Sequence, residues 1–397
     1  MNKSKNNLLI VIVAIFASYC VAFNLFKVAS TSTLIMEAFN VNSQQVGSLV
    51  SVTGLVGLIF AIPSGALVTK FGTRAIGIFA VGCSFLGSVI GSFAPSFEIL
   101  LASRFLEGVS IGAIPTILPP IIVENIDSKK QSIFMGFFTC FAGVGQIIIF
   151  SLTNSLINIE DPYSFTNVWH FSSIFIGIAL LLWILFVKNA QAKSNKKNEK
   201  IDMKKGFMNP LVWVMCLITF LSIAGFNGGT NYTMNYCEQI SGDPLLANDL
   251  ATIRSFMMIA SSILVGLIIA PFNAKKRGIF LFVFSVLILI SFAIMWQYTD
   301  KTQALISMLI IGFSISAHPT VLVSLTPAIS KDPRYTAITN SFLGIGQNLG
   351  AMSVGAISGR ILEAYGFDVL SVVYICFAIV IVVGTFLIYL GIRKNNA

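Results

Sequence analysis

Charge is nearly absent from long stretches of this chain. Apolar runs, each close to the roughly 20 residues a helix needs to cross a bilayer's hydrocarbon core, fill most of its 397 residues, and Lys and Arg crowd into every second connection. No water-soluble fold could bury that much apolar surface behind so little polar cover; 56% hydrophobic, 10% charged residues and a mean hydropathy of +0.87 agree. The runs predict twelve helices, at 8–32, 45–67, 75–95, 98–122, 131–157, 168–188, 209–233, 248–271, 277–297, 303–328, 335–359 and 368–392. They are continuously apolar and not alternating, which favours an all-α membrane protein over a barrel. The first run is too long for a cleaved leader and is read as the first span.

Twenty of the 25 Lys and Arg fall in the N-terminal segment, every second connection and the C-terminal segment. The positive-inside rule therefore places both termini in the cytoplasm, and the Lys-, Asn- and Ile-rich composition with short loops suggests a cell inner membrane. The formal net charge of +9 becomes a topology signal, not a nucleic-acid footprint. The one long hydrophilic stretch, Lys188 to Lys205, carries seven Lys and reads as a cytoplasmic linker. The expected domains are a six-helix bundle over 1–188, a basic linker over 189–207 and a second six-helix bundle over 208–397.

The two halves are weakly alike at an offset near 200, the mark of an internal repeat. Gly65-Ala-Leu-Val-Thr-Lys-Phe71 matches Gly266-Leu-Ile-Ile-Ala-Pro-Phe272, Ile111-Gly112 matches Ile311-Gly312, and Gly143-Val-Gly-Gln146 matches Gly344-Ile-Gly-Gln347, in the same order.

With these motifs the whole chain resembles the major facilitator superfamily. Gly65, Thr69, Gly72 and Arg74 stand in a stretch similar to that family's gating signature between helices 2 and 3, G-x-L-a-D-r-x-G-r-r. Arg104-Phe-Leu-Glu-Gly108 resembles its helix 4 signature R-x-x-x-G. Thr69 departs from the family's Asp, which belongs to a cytoplasmic charge relay, so the resemblance implies a weaker or differently built gate. It further implies two six-helix bundles rocking in alternating access around a central site. No GxxxxGK[ST] loop occurs, so the chain itself offers no site for ATP drive.

Polar groups inside apolar spans are costly and mark solute paths. Lys27 shares a face of helix 1 with Asn24, Ser30 and Thr31, and Arg254 enters helix 8, placing one cation in each half. The pair is expected to hold a carboxylate or similar small anion. The alternative is that both snorkel to headgroups, since Lys27 would lie about 28 Å along its helix. Arg104 and Glu107, three apart, form either a proton-coupling pair or a static ion pair. His318 can bind solute, carry a proton or simply pack. Gln146 and Gln347 can line the cavity or bond between helices. Asn227 lies in a polar stretch that Gly225, Gly228 and Gly229 are expected to make a flexible gate. Trp169-His170 reads as an interface anchor, and Pro115, Pro119, Pro120, Pro319 and Pro327 are expected to kink helices 4 and 10.

Six scattered cysteines without CxxC, two isolated His without HExxH and no Gly-x-Ser-x-Gly exclude a disulfide framework, a zinc site and the common hydrolases. The expected protein is therefore not an enzyme and needs no cofactor or metal. It is a monomeric secondary transporter of a small anion, coupled to protons, with helix 1 and helix 4 similar to the cyanate and nitroimidazole-type porter branch. The alternatives are an exporter of drugs or amphipathic compounds, against which helix 5 lacks the antiporters' Gly-Pro doublet, or a carrier of a neutral sugar or nucleoside.

Overall fold

The computed structural model describes residues 2–127, 134, 137–138, 140–188, 208–241, 243, 245–330 and 336–395. The expected linker over 189–207 lies outside the described residues, as do the side-chain environments at 65 and 69. Among the described residues every regular element is helical, and the chain divides into two compact units, Met1–Asn195 and Lys196–Ala397.

The first unit holds α1 (Asn2–Phe26), α2 and α3 as the two arms, 43–71 and 73–92, of the broken helix Ser43–Ser92, then α4 (Phe97–Asn125), α5 (Phe141–Leu156) and α6 (Thr166–Phe186). The second holds α7 (Pro210–Ser241), α8 (Leu246–Ile269), α9 (Ala274–Ile294), α10 (Lys301–Ser324), α11 (Thr336–Ser353, prolonged by the π-helical turn Val354–Gly359) and α12 (367–395). Ten stretches are long and apolar enough to cross a bilayer; the shorter Phe141–Leu156 and the division of Phe342–Lys394 at Gly366 complete twelve among the described residues. The fold is that of a multi-pass all-α membrane protein.

Short side chains set the helix starts. The Asn42 side chain accepts from the Gln45 amide while Gln45 answers on the Asn42 amide, and Asn273 and Asp300 cap α9 and α10 through the amides of Lys276 and Gln303. Between α2 and α3 the chain turns at Gly72 (φ 82°), and before α12 at Gly366 (φ 77°). Both lie in backbone space that is essentially glycine's alone, which is the physical reason for the glycine at 72 in the loop signature.

Four pairs of helices pack alike in the two units, and repeated glycines sit at two of these crossings. Gly112 of α4 faces the Gly57 carbonyl of α2, and Gly312 of α10 faces the Arg254 carbonyl of α8. Gly145 of α5 lies against Ala22 of α1, and Gly346 of α11 against the Cys216 carbonyl of α7. Likewise α6 packs on α1 and α3 as α12 packs on α7 and α9. The sequence repeat is thus a repeat of close backbone approaches. Gly266 and Gly344 are exceptions, each with open space where its Cβ would be.

Several expectations need correction. Helix 1 does not run to residue 32: α1 ends at Phe26, a 3-10 turn covers Ala29–Thr31, and a short helix covers Ser32–Phe39. The hydroxyls of Ser30 (3.1 Å) and Thr31 (2.8 Å) both donate to the Lys27 carbonyl, and these bonds compete with helix continuation there. α4 and α10 each run as one helix through Pro115, Pro119, Pro120 and Pro319. Pro327 lies beyond α10, in the separate helix Thr326–Ser330. The α7 glycines are closely packed, with Phe292 against Gly225, the Tyr374 hydroxyl against Gly228 and Met295 against Gly229.

Candidate functional site

Lys27, just past the end of α1, is buried inside the first unit. Glu107 of α4 accepts from Lys27 Nζ on one carboxylate oxygen and from Arg104 Nη1 on the other. All three side chains are 0% exposed. Snorkelling to headgroups is therefore ruled out for Lys27. The rest of Arg104 is spent on backbone: Nε donates to the Leu49 carbonyl of α2 (3.2 Å) and Nη2 to the Asn24 carbonyl of α1 (2.6 Å). Ser88 of α3 accepts from Lys27 (3.1 Å) and can donate to Glu107 (2.9 Å) or to Asn24 Oδ1 (3.2 Å), while Asn24 Nδ2 donates to Ser84 (2.6 Å). The Lys27 ammonium stands 4.6 Å from the Trp169 ring centroid, a cation–π contact.

The sequence-derived residues Lys27, Asn24, Arg104 and Glu107 thus converge in one cluster spanning α1, α2, α3 and α4. Trp169, Ser84 and Ser88 were missed. Trp169 is no interface anchor but fully buried beneath Lys27, while its neighbour His170 packs edge-on against Phe93 at 5.0 Å. The two serines, four residues apart on one helix face, were a legible signal.

The second unit presents a different kind of charge. Arg254 of α8 is 2% exposed and stacks its guanidinium 5.2 Å from the Phe226 ring centroid of α7. Among the described residues, its buried Nε and Nη2 have no hydrogen-bond acceptor and no acidic group pairs with it. The ionisable neighbour it feels is Tyr298, in the connection after α9. Burial pushes the Tyr298 phenol above the usual tyrosine range, with the Arg254 charge acting the other way, so Tyr298 stays neutral and gives Arg254 no counter-charge. Buried donors left unmade cost about 1–3 kcal/mol each, more when charged. Such a group is tolerated where a ligand completes it.

His318 is buried in α10, with Nε2 likewise without a partner among the described residues. Ser314, on the same face, bonds Ser291 of α9 at 2.5 Å. Asn227 is half-buried on α7, its carbonyl accepting from Asn231 at 2.7 Å. The repeat partners diverge: Gln146 is buried and Gln347 exposed. Of the loop signature, Arg74 Nη2 donates to the Ile184 carbonyl in the last turn of α6 (2.9 Å) and Trp183 Nε1 donates to the Arg74 carbonyl (3.3 Å). Arg277 does the same in the other unit, reaching the carbonyls of Ile269 (3.1 Å) and Ala270 (2.9 Å) at the end of α8. A cation on the last carbonyls of a helix satisfies both orphan acceptors and the helix dipole. No group of three or more His, Cys, Asp or Glu able to hold a metal occurs among the described residues.

A model of the Major Facilitator Superfamily matches residues 11–351. The uncharacterized MFS-type transporter YcnB of Bacillus subtilis is 22% identical over 224 residues, 56% of this chain and 46% of that protein. The sialic acid transporter NanX of Escherichia coli is 20% identical over 311 residues, 76% of this chain and 73% of that protein. The first curated relatives are matched over 28% to 70% of their own length. Among solved structures, a mutant of the nucleoside transporter NupG is similar with a TM-score of 0.76 at 12% identity, covering 96% of this chain and 99% of that one. A D-xylose-proton symporter gives 0.74 at 15% identity, covering 95% and 97%.

Proposed function

The chain belongs to the major facilitator superfamily, and from that membership we propose that it is a secondary transporter whose small solute carries a carboxylate or comparable anionic group received by Arg254. The observation behind this reading is the enclosed guanidinium with two donors unpaired and no acid beside it among the described residues. A carboxylate would accept from both, in the bidentate geometry that guanidinium favours, and cancel the buried charge. Phe226 beneath the guanidinium fixes its plane. Lys27 leaves the anion-binding role in this scheme, because its charge is already engaged by Glu107. The Arg104–Glu107–Lys27 cluster serves proton coupling, in a chain with both termini on the Lys-rich, cytoplasmic face of the membrane.

A second reading has support of its own. Guanidinium also donates to hydroxyl oxygens, and the similar structures include a nucleoside transporter and a D-xylose-proton symporter. A sugar acid, the class named for the sialic acid relative, would meet both requirements. Uptake of labelled small carboxylates, sugar acids, neutral sugars and nucleosides into proteoliposomes, with and without a pH gradient, separates these readings. In Arg254→Gln the affinity for an anionic solute falls about 100-fold, the loss of about 3 kcal/mol of charged hydrogen bonding. Unchanged affinity in the folded variant would overturn the assignment.

A further inference from the structure

We propose that Lys27, and not Glu107, is the group that takes up and releases the transported proton. Charge counting points there first. Two cations and one anion are enclosed together, and among the described residues the charges acting on Lys27 are Glu107 and Arg104, both from α4. The cluster therefore holds one uncompensated positive charge in the protein interior, where an unbalanced charge is expensive. Protonating Glu107 would leave two facing cations without an anion. Arg104 does not deprotonate in proteins. Releasing one proton from Lys27 Nζ to water leaves the neutral ion pair Arg104–Glu107, which is the one change that balances the cluster.

The surroundings suit both states of that amine. In the charged state Nζ donates to Glu107 and to the Ser88 oxygen (3.1 Å) and faces the Trp169 ring at 4.6 Å. In the neutral state its lone pair can accept from the Ser88 hydroxyl, which otherwise turns to Glu107 (2.9 Å) or to Asn24 Oδ1 (3.2 Å). A rotating hydroxyl supplies what a fixed amide could not. Lys27 also lies at the end of α1, where the helix has broken and its carbonyl is held by Ser30 and Thr31, so a change in its charge acts on a joint in the chain and not on a continuous helix.

The protein reports this proton through Trp169. The full chain, labelled with 5-fluorotryptophan, contains four Trp, and the resonance missing in Trp169→Phe assigns the one beneath Lys27. As pH is stepped from about 5 to 10, the 19F signal of Trp169 should shift through a single one-proton transition. The transition should be lost in Lys27→Met, which is permanently neutral, and in Lys27→Arg, which keeps its charge throughout. A structural role for Lys27 would not erase the titration while the other three Trp signals stay in place. A transition persisting in either variant belongs to Glu107 and overturns the proposal, as does a Trp169 signal in the parent that does not titrate. The titration itself needs no solute. Only its use in coupling rests on the transporter reading, so a chain that titrates at Lys27 but moves no solute would sink that reading and leave the proton site standing.

Discussion

Glu107 carries two ion pairs and Lys27 one, and that difference sets their cost of removal. Glu107→Gln leaves two buried cations facing each other and is expected to destabilise the protein by about 3–5 kcal/mol. Lys27→Met leaves a matched Arg104–Glu107 pair and should cost clearly less. Thermal unfolding of the detergent-solubilised variants compares them directly; equal losses would show that packing and not charge holds the cluster. The contact between Arg104 and Glu107 was legible from their spacing of three, because helix geometry alone brings such residues together. The arrival of Lys27 was not, since it is 80 residues away from Glu107 and depends on where α1 ends. Arg254 was legible as a buried charge, but that its Nε and Nη2 lack an acceptor among the described residues became visible only with its neighbours in place.

The repeated glycines divide by what stands opposite them. Gly112 and Gly312 face backbone of α2 and α8, which cannot move aside as a side chain can. Gly112→Ala and Gly312→Ala should each destabilise by about 1–3 kcal/mol by forcing the helices apart. Gly266→Ala meets open space inside a helix and should stabilise by about 0.5–1 kcal/mol. Unfolding midpoints of the three variants, measured side by side, test the ordering, and a loss at Gly266 would contradict it. The repeat spacing was readable along the chain, but it does not distinguish a crossing glycine from an idle one. For the same reason the sequence did not show that Phe292, Tyr374 and Met295 pack on the glycines of α7. The prolines of α4 do not end the helix, since a membrane helix can run on through proline where its neighbours restore the freed backbone groups.

For the chain in its membrane, the distribution of Lys and Arg makes a prediction about sidedness. In a cysteine-free background, a cysteine at Lys301 should react with an impermeant thiol reagent added to intact cells. One at Lys394 should react only after permeabilisation, and the reverse pattern would invert the topology. The number and approximate placement of the spans were readable from sequence because hydrocarbon imposes one rule on crossing helices: about 20 apolar residues with internally satisfied backbone. Each span obeys that rule alone, so no knowledge of its neighbours is needed. The membership in a transporter family was likewise visible in local signatures at Gly65–Arg74 and Arg104–Gly108. Tertiary structure alone decided which buried charges are neutralised and which are left open, because that depends on residues brought together across tens of positions. Lys27 and Arg254 look equivalent along the chain, one cation in each half. Folding enclosed the first with a carboxylate, a serine and an indole, and set the second on a phenyl ring with two donors unfilled among the described residues.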